Sequence, residues 1–152
     1  MTSHHPRILI TGGHLTPAVA VMEEMQKKHP SWSIVFVGRA TAIEGSRVTS
    51  EEERTVKAHG ATFIGFSAGR LQRHISISAL WSLIKIPLGF VSAAAIILRV
   101  RPSVIVSFGG YVALPLVVWG FFLGIPVVTH EQTRIPGLAN RIIARLSRRV
   151  GV

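Results

Sequence analysis

The sequence predicts an α/β fold: a Rossmann-like, doubly wound parallel sheet. Three observations predict it. Short aliphatic runs such as Ile8-Leu9-Ile10 and Val104-Ile105-Val106 alternate with longer helical stretches, as βα units closing a buried parallel sheet require. Two of these runs end in glycine pairs, Gly12-Gly13 and Gly109-Gly110, each opening a helix. The chain has 152 residues, 48% hydrophobic and 16% charged, enough for one domain with a core and unlike a disordered chain.

In order, Arg7 to Thr11 reads as a first buried strand. Thr16 is a candidate N-cap, with Pro17 at the helix start. From Ala18 to His29, Ala18, Val21, Met22 and Met25 share one face, opposite Glu23, Glu24, Lys27 and Lys28, which predicts an amphipathic helix. Ser33 to Val37 is a second strand, ended by Gly38, and Arg39 to Arg47 a loop. Ser50-x-x-Glu53 has the capping-box pattern and opens a short helix to about His59. Gly60 stops it, Ala61 to Phe66 is a third strand, and Ser67 to His74 a polar, basic loop.

Ser76 to Arg99 is apolar nearly all round. Ala79 to Leu98 is long enough to span a bilayer, but Lys85 and Pro87 lie inside it. Two shorter helices meeting near Pro87 are expected. The second, Gly89 to Leu98, would pack on the sheet. The first, with Trp81, Ile84 and Lys85, suits either an anionic membrane interface or a buried crossover. Ser103 to Ser107 is the fourth strand. A helix follows from Ala113 to Leu123, with Pro115 in its first turn and Gly124 at its end. Pro126 to Thr129 is the fifth strand, and His130-Glu131-Gln132-Thr133 lies beyond it. Pro136 starts a helix from Gly137 to about Ser147 with basic Arg141, Arg145, Arg148 and Arg149. Val150-Gly151-Val152 opens a sixth strand, where the sequence stops in mid-element. The strand order expected is 3-2-1-4-5-6, with ligands bound at the switch between strands 1 and 4. Both glycine loops lie there, with His130 to Thr133 alongside.

Charge narrows the partners. Lys and Arg number 17 against 7 Asp and Glu, a formal +10, which suits nucleic acid, an anionic membrane or a phosphorylated ligand. Aromatic residues do not interleave with basic ones, so nucleic acid is set aside. There is no cysteine or aspartate, and no His pair at i, i+4, so no metal site and no cofactor are expected. The missing third glycine after Gly12-Gly13 argues against NAD. The N-terminus has no apolar stretch of signal-peptide type before the first strand, so a cytoplasmic location is expected.

Glycine N–H groups at helix N-termini suit a phosphate or diphosphate. His14, at the tip of the first loop, fits either a base for a sugar hydroxyl or a helix-capping, phosphate-binding role. Glu131 fits a group that orients a base or binds a hydroxyl, or a salt bridge to Arg134 or Arg141. Tyr111 can offer its hydroxyl to the crevice or pack down.

Thr11-Gly12-Gly13-His14-Leu15-Thr16-Pro17-Ala18, Ser107-Phe108-Gly109-Gly110-Tyr111, Gly124-Ile125-Pro126-Val127-Val128, and His130-Glu131-Gln132 followed by Gly137-Leu138-Ala139-Asn140 together resemble the N-terminal half of the MurG family. These are GT-B glycosyltransferases of family 28. The resemblance runs from about Arg7 to Val152. It implies transfer of GlcNAc from UDP-GlcNAc to undecaprenyl-diphospho-MurNAc-pentapeptide, with inversion and without an active-site metal. It also implies that this half receives the lipid-linked acceptor at the cytoplasmic membrane face, as a peripheral domain. His14 is then the candidate base. Thr11, Gly12, Gly13, Gly109, Gly110, Tyr111, His130, Glu131 and Gln132 form the acceptor and diphosphate site, and Trp81, Ile84, Lys85 and Leu88 a membrane patch. The sequence departs from the family in a shorter first glycine loop and in Thr133, where asparagine is usual. The domain that binds the UDP-sugar in this family is absent, so catalysis is expected only with such a domain or a partner subunit. A fragment, one half of a split two-chain transferase, a non-catalytic basic membrane module and a hairpin spanning at Ala79 to Leu98 and Val104 to Val128 are the alternatives.

Overall fold

Strand residues two apart share a face of a sheet, and that period sorts this core. A computed structural model describes residues 5–39, 50–66, 77–133 and 135–151, with the backbone alone for 77–85. Its elements are β1 (Arg7–Thr11), α1 (Leu15–Lys28), β2 (Ser33–Gly38), α2 (Glu51–Ala58), β3 (Thr62–Gly65), α3 (Ile77–Val100), β4 (Val104–Ser107), α4 (Gly110–Phe122), β5 (Val127–His130), α5 (Leu138–Leu146) and β6 (Arg149–Gly151). Ile8, Ile10, Ile34 and Phe36 pack with Ala18, Met22 and Val56 of α1 and α2. Leu9, Ile105 and Val127 pack on the opposite face with Ala93 and Ile97 of α3, Leu116 and Val117 of α4 and Ile143 of α5.

All strand pairs are parallel, in the order β3-β2-β1-β4-β5-β6, as the sequence predicts. Thr11 lies in register between Val37 and Ser107, and Ser107 in turn pairs with Thr129. The strand ends that carry the three loops therefore line up along one edge.

Several local expectations are corrected. His14, not Thr16, is the N-cap of α1, which begins at Leu15. Pro17 is the third helical residue, still among the first four N–H positions that have no intrahelical partner. The segment expected as two helices is one, with Pro87 inside it. An internal proline costs roughly 3 kcal/mol. Against that, Gly89, Ala93, Ile97 and Val100 form a buried stripe on α3, α3 packs along α4, and the Trp119 indole N–H donates to the Phe90 carbonyl at 2.8 Å. α4 starts at the glycine pair itself, so Pro115 falls in its second turn, buried. The loop expected at Ser67 to His74 and most of that at Arg39 to Arg47 lie outside the described residues.

The Ser50 hydroxyl accepts the Glu53 N–H at 3.1 Å and caps α2. The run Val104 to Val128 is divided among β4 and β5 of the sheet and α4 packed on it, so it is not a membrane span. Among the described residues no helix is long and apolar enough to cross a membrane.

Leu116 is fully buried where α4 meets the sheet. Leu116→Ala should lose about 2–5 kcal/mol, read as a lower urea midpoint with an unchanged slope.

Candidate functional site at the sheet switch point

β1 and β4 are neighbours, yet the helices that follow them lie on opposite faces of the sheet. The chain diverges between them and opens a crevice. In the first loop the Gly12 N–H donates to the Val37 carbonyl at 2.6 Å. A Cβ on Gly13 would lie 2.8 Å from the Gly109 carbonyl oxygen and 3.1 Å from that of Phe108. The two glycine loops therefore touch backbone to backbone, and only glycine fits at that contact. His14 follows, exposed, in an extended conformation.

In the second loop the Gly109 N–H donates to the Ser107 hydroxyl at 3.1 Å. Gly109 has φ 75°, and a Cβ there would come within 2.9 Å of the Asn140 amide. Asn140, on α5, accepts the Gly110 N–H through Oδ1 at 2.7 Å. Tyr111, in the first turn of α4, is half-buried and packs against the core. Neither α1 nor α4 is capped by the side chain of its own N-cap residue, and neither has an acidic residue in its first turn. Each helix contributes about half a positive charge at that end, so both helix ends present partial positive charge to the crevice.

In the third loop His130 ends β5, half-buried, with its ring edge-on to Phe108 at 6.1 Å between centroids. The Glu131 carboxylate accepts the Thr133 N–H at 2.9 Å and also the Thr133 hydroxyl. Burial pushes the Glu131 carboxyl up. The hydrogen bonds from the Thr133 hydroxyl and N–H, the Asn140 side chain and the Gln132 backbone outweigh it and hold the group below the ordinary glutamate value. Arg141 donates through Nε to the Pro136 carbonyl at 3.1 Å instead of pairing with Glu131, and Arg134 lies outside the described residues. Thr133, a departure from the family pattern, thus serves as a double donor. Gln132 is exposed beside it.

The structure brings Thr11, Gly12, Gly13, His14, Gly109 and Gly110 together at one edge, with His130 at the end of the adjoining strand and Glu131 just beyond it. Three features had no role in the sequence reading. Ser107 and Thr129 extend the line of buried hydroxyls begun by Thr11, with the Thr129 hydroxyl donating to the Ser107 carbonyl at 3.1 Å. The Thr11 hydroxyl is buried and has no hydrogen-bond partner among the described residues. A polar residue closing each of three apolar strands was the available signal. The Asn140 bridge and the placement of Glu52 beside Gly12 had none. Of the membrane patch, Leu88 is exposed, while the side chains of Trp81, Ile84 and Lys85 lie outside the described residues.

These features define a Rossmann-like α/β domain with a cleft at its switch point. The chain belongs to glycosyltransferase family 28, whose N-terminal domain pattern matches residues 11–152. It is 35% identical over 141 residues to the UDP-N-acetylglucosamine--N-acetylmuramyl-(pentapeptide) pyrophosphoryl-undecaprenol N-acetylglucosamine transferase of Legionella pneumophila, covering 90% of this chain and 36% of that protein. The protein of the same name from Myxococcus xanthus is 36% identical over 141 residues, covering 91% and 34%. The crystal structure of Acinetobacter baumannii MurG shares the fold, with a TM-score of 0.73 and 24% identity over 95% of this chain and 40% of that one. So does a UDP-GlcNAc 2-epimerase from Neisseria meningitidis bound to UDP-GlcNAc, with a TM-score of 0.58 and 14% identity over 93% and 39%. The chain spans about a third of the length of the curated relatives it matches.

Because the Glu131 carboxyl is lowered in the folded state, its network stabilises the fold above the ordinary glutamate pKa of about 4.3 and is lost as pH falls through the folded value. The melting temperature should exceed that of Glu131→Gln at neutral pH, and the difference should shrink to nothing in acid.

Proposed function

We propose that the chain is the acceptor-binding half of an inverting hexosyltransferase. The whole enzyme would move GlcNAc from UDP-GlcNAc to an undecaprenyl-diphosphate-linked MurNAc-pentapeptide in peptidoglycan synthesis. The observation that carries the reading is the contact of Gly13 with the Phe108-Gly109 carbonyls, which sets two helix N-termini side by side at the cleft. Such a pair suits a diphosphate. His14, exposed at the rim, is the base. It takes the proton from the acceptor sugar hydroxyl as that oxygen bonds to the anomeric carbon and UDP leaves. The donor sugar is held by a C-terminal domain or a donor-binding subunit.

The domain sits on the cytoplasmic face of the membrane as a peripheral protein. In support, Leu88, Val91 and Leu98 of α3 and Phe121, Phe122 and Leu123 at the α4 end are exposed, on helices that pack together, in a chain of formal charge +10. Apolar groups beside cations suit an anionic interface.

The test is binding to anionic vesicles with and without the lipid-linked MurNAc-pentapeptide diphosphate. The lipid should strengthen binding, and Gly109→Val should abolish that increment. Equal binding to both vesicles would leave a basic membrane module. In a chain joined to a donor-binding domain, His14→Ala should lower turnover at least ~100-fold; near-normal turnover would remove His14 from the reaction.

A further inference from the structure

We infer that Glu52 is a positioning residue of the cleft, holding the Gly12-Gly13-His14 loop from the side away from the second glycine loop. The first turn of α2 carries Glu51, Glu52 and Glu53. Any of them would complement the helix dipole, but they part company. Glu51 is exposed, and Glu53 pairs with Lys57 at 2.6 Å. Glu52 alone turns onto the ends of β1 and β2. Its Oε2 accepts the Arg39 N–H at 2.8 Å. Both carboxylate oxygens lie 3.2 Å from where a Cβ on Gly12 would stand, and Oε2 lies 2.6 Å from the corresponding point on Gly38. The carboxylate fills the hollow that the two glycines leave, and a methyl group at Gly38 would collide with it.

Glu52 thus stands beside Gly12, and the next residue of the loop lies against the Phe108 and Gly109 carbonyls. The first loop has a neighbour on each of these two sides. A fixed Gly12 fixes the direction in which α1 leaves β1, and with it His14. Displacements of about 1 Å at a reacting group cost orders of magnitude in rate, which gives this support a functional consequence. That consequence rests on the acceptor-binding reading; the support itself does not.

The experiment is amide hydrogen exchange by NMR on this chain, paired with binding to vesicles that carry the lipid-linked MurNAc-pentapeptide diphosphate. Glu52→Ala should speed exchange at Gly12, Gly13, His14 and Arg39 roughly tenfold, leave Phe36 and Ile105 unchanged, and weaken lipid-dependent binding. Glu52→Asp keeps the charge but shortens the reach and should behave like alanine. Glu52→Gln keeps an acceptor oxygen at full reach and should restore most of both signals, and Glu51→Gln should match the unaltered chain. Unchanged loop exchange in Glu52→Ala overturns the inference. So does a rise that spreads to Phe36 and Ile105, or an aspartate that works where glutamine fails. Should the unaltered chain ignore the lipid, the acceptor-binding reading falls, while the exchange profile still decides the role of Glu52.

Discussion

The cleft depends on one backbone-to-backbone contact, that of Gly13 with the carbonyls of Phe108 and Gly109. A side chain at Gly13 would force the two loops apart, and with them the N-termini of α1 and α4. The parallel register of β1 and β4 brings Thr11 opposite Ser107, so the loops leave the sheet at the same level. Opposite helix placement then separates the chain above that level. Strand register sets the height of the cleft and glycine sets its width.

The supporting groups are arranged around that contact. The Ser107 hydroxyl takes the Gly109 N–H, Asn140 takes the Gly110 N–H, and Glu131 accepts from Thr133. These bonds tie α4 to α5 through Asn140 and fix the turn after β5 through Glu131 and Thr133. Glu131, holding two donors from Thr133, is placed to orient that turn, and His14 stands exposed at the rim.

The sheet order was legible because aliphatic runs and helical stretches alternate strictly, and right-handed crossovers leave few ways to join them. The glycine loops were legible as pairs closing strands. Propensity failed where tertiary packing outweighed it. Pro87 argued for a break, but the stripe from Gly89 to Val100 has α4 to pack on, and Trp119 bonds to the Phe90 carbonyl. Thr16 is the better capping residue by composition, but the chain becomes helical immediately after the Gly13 contact and places His14 at the cap. Asn140 and Glu52 were illegible as supports because each acts on a loop from a different βα unit. No local pattern links Asn140 to Gly110, or Glu52 to Gly12.

The scarcity of acidic residues gains a meaning from these positions. The chain has seven glutamates and no aspartate. Among the described residues two glutamates stand at the cleft, and both are engaged with backbone N–H groups, Glu52 with that of Arg39 and Glu131 with that of Thr133. Their charge is spent on donors beside the cleft, while the first turns of α1 and α4 carry no acid at all. The partial positive charge of each helix end is therefore not offset within its own first turn. Fields in such concave, partly desolvated places are stronger than on open surface. A neutral sugar alone would gain little from that field. A diphosphate would gain from both helix ends at once, and the fold can bring those ends together only because Gly13 has no side chain.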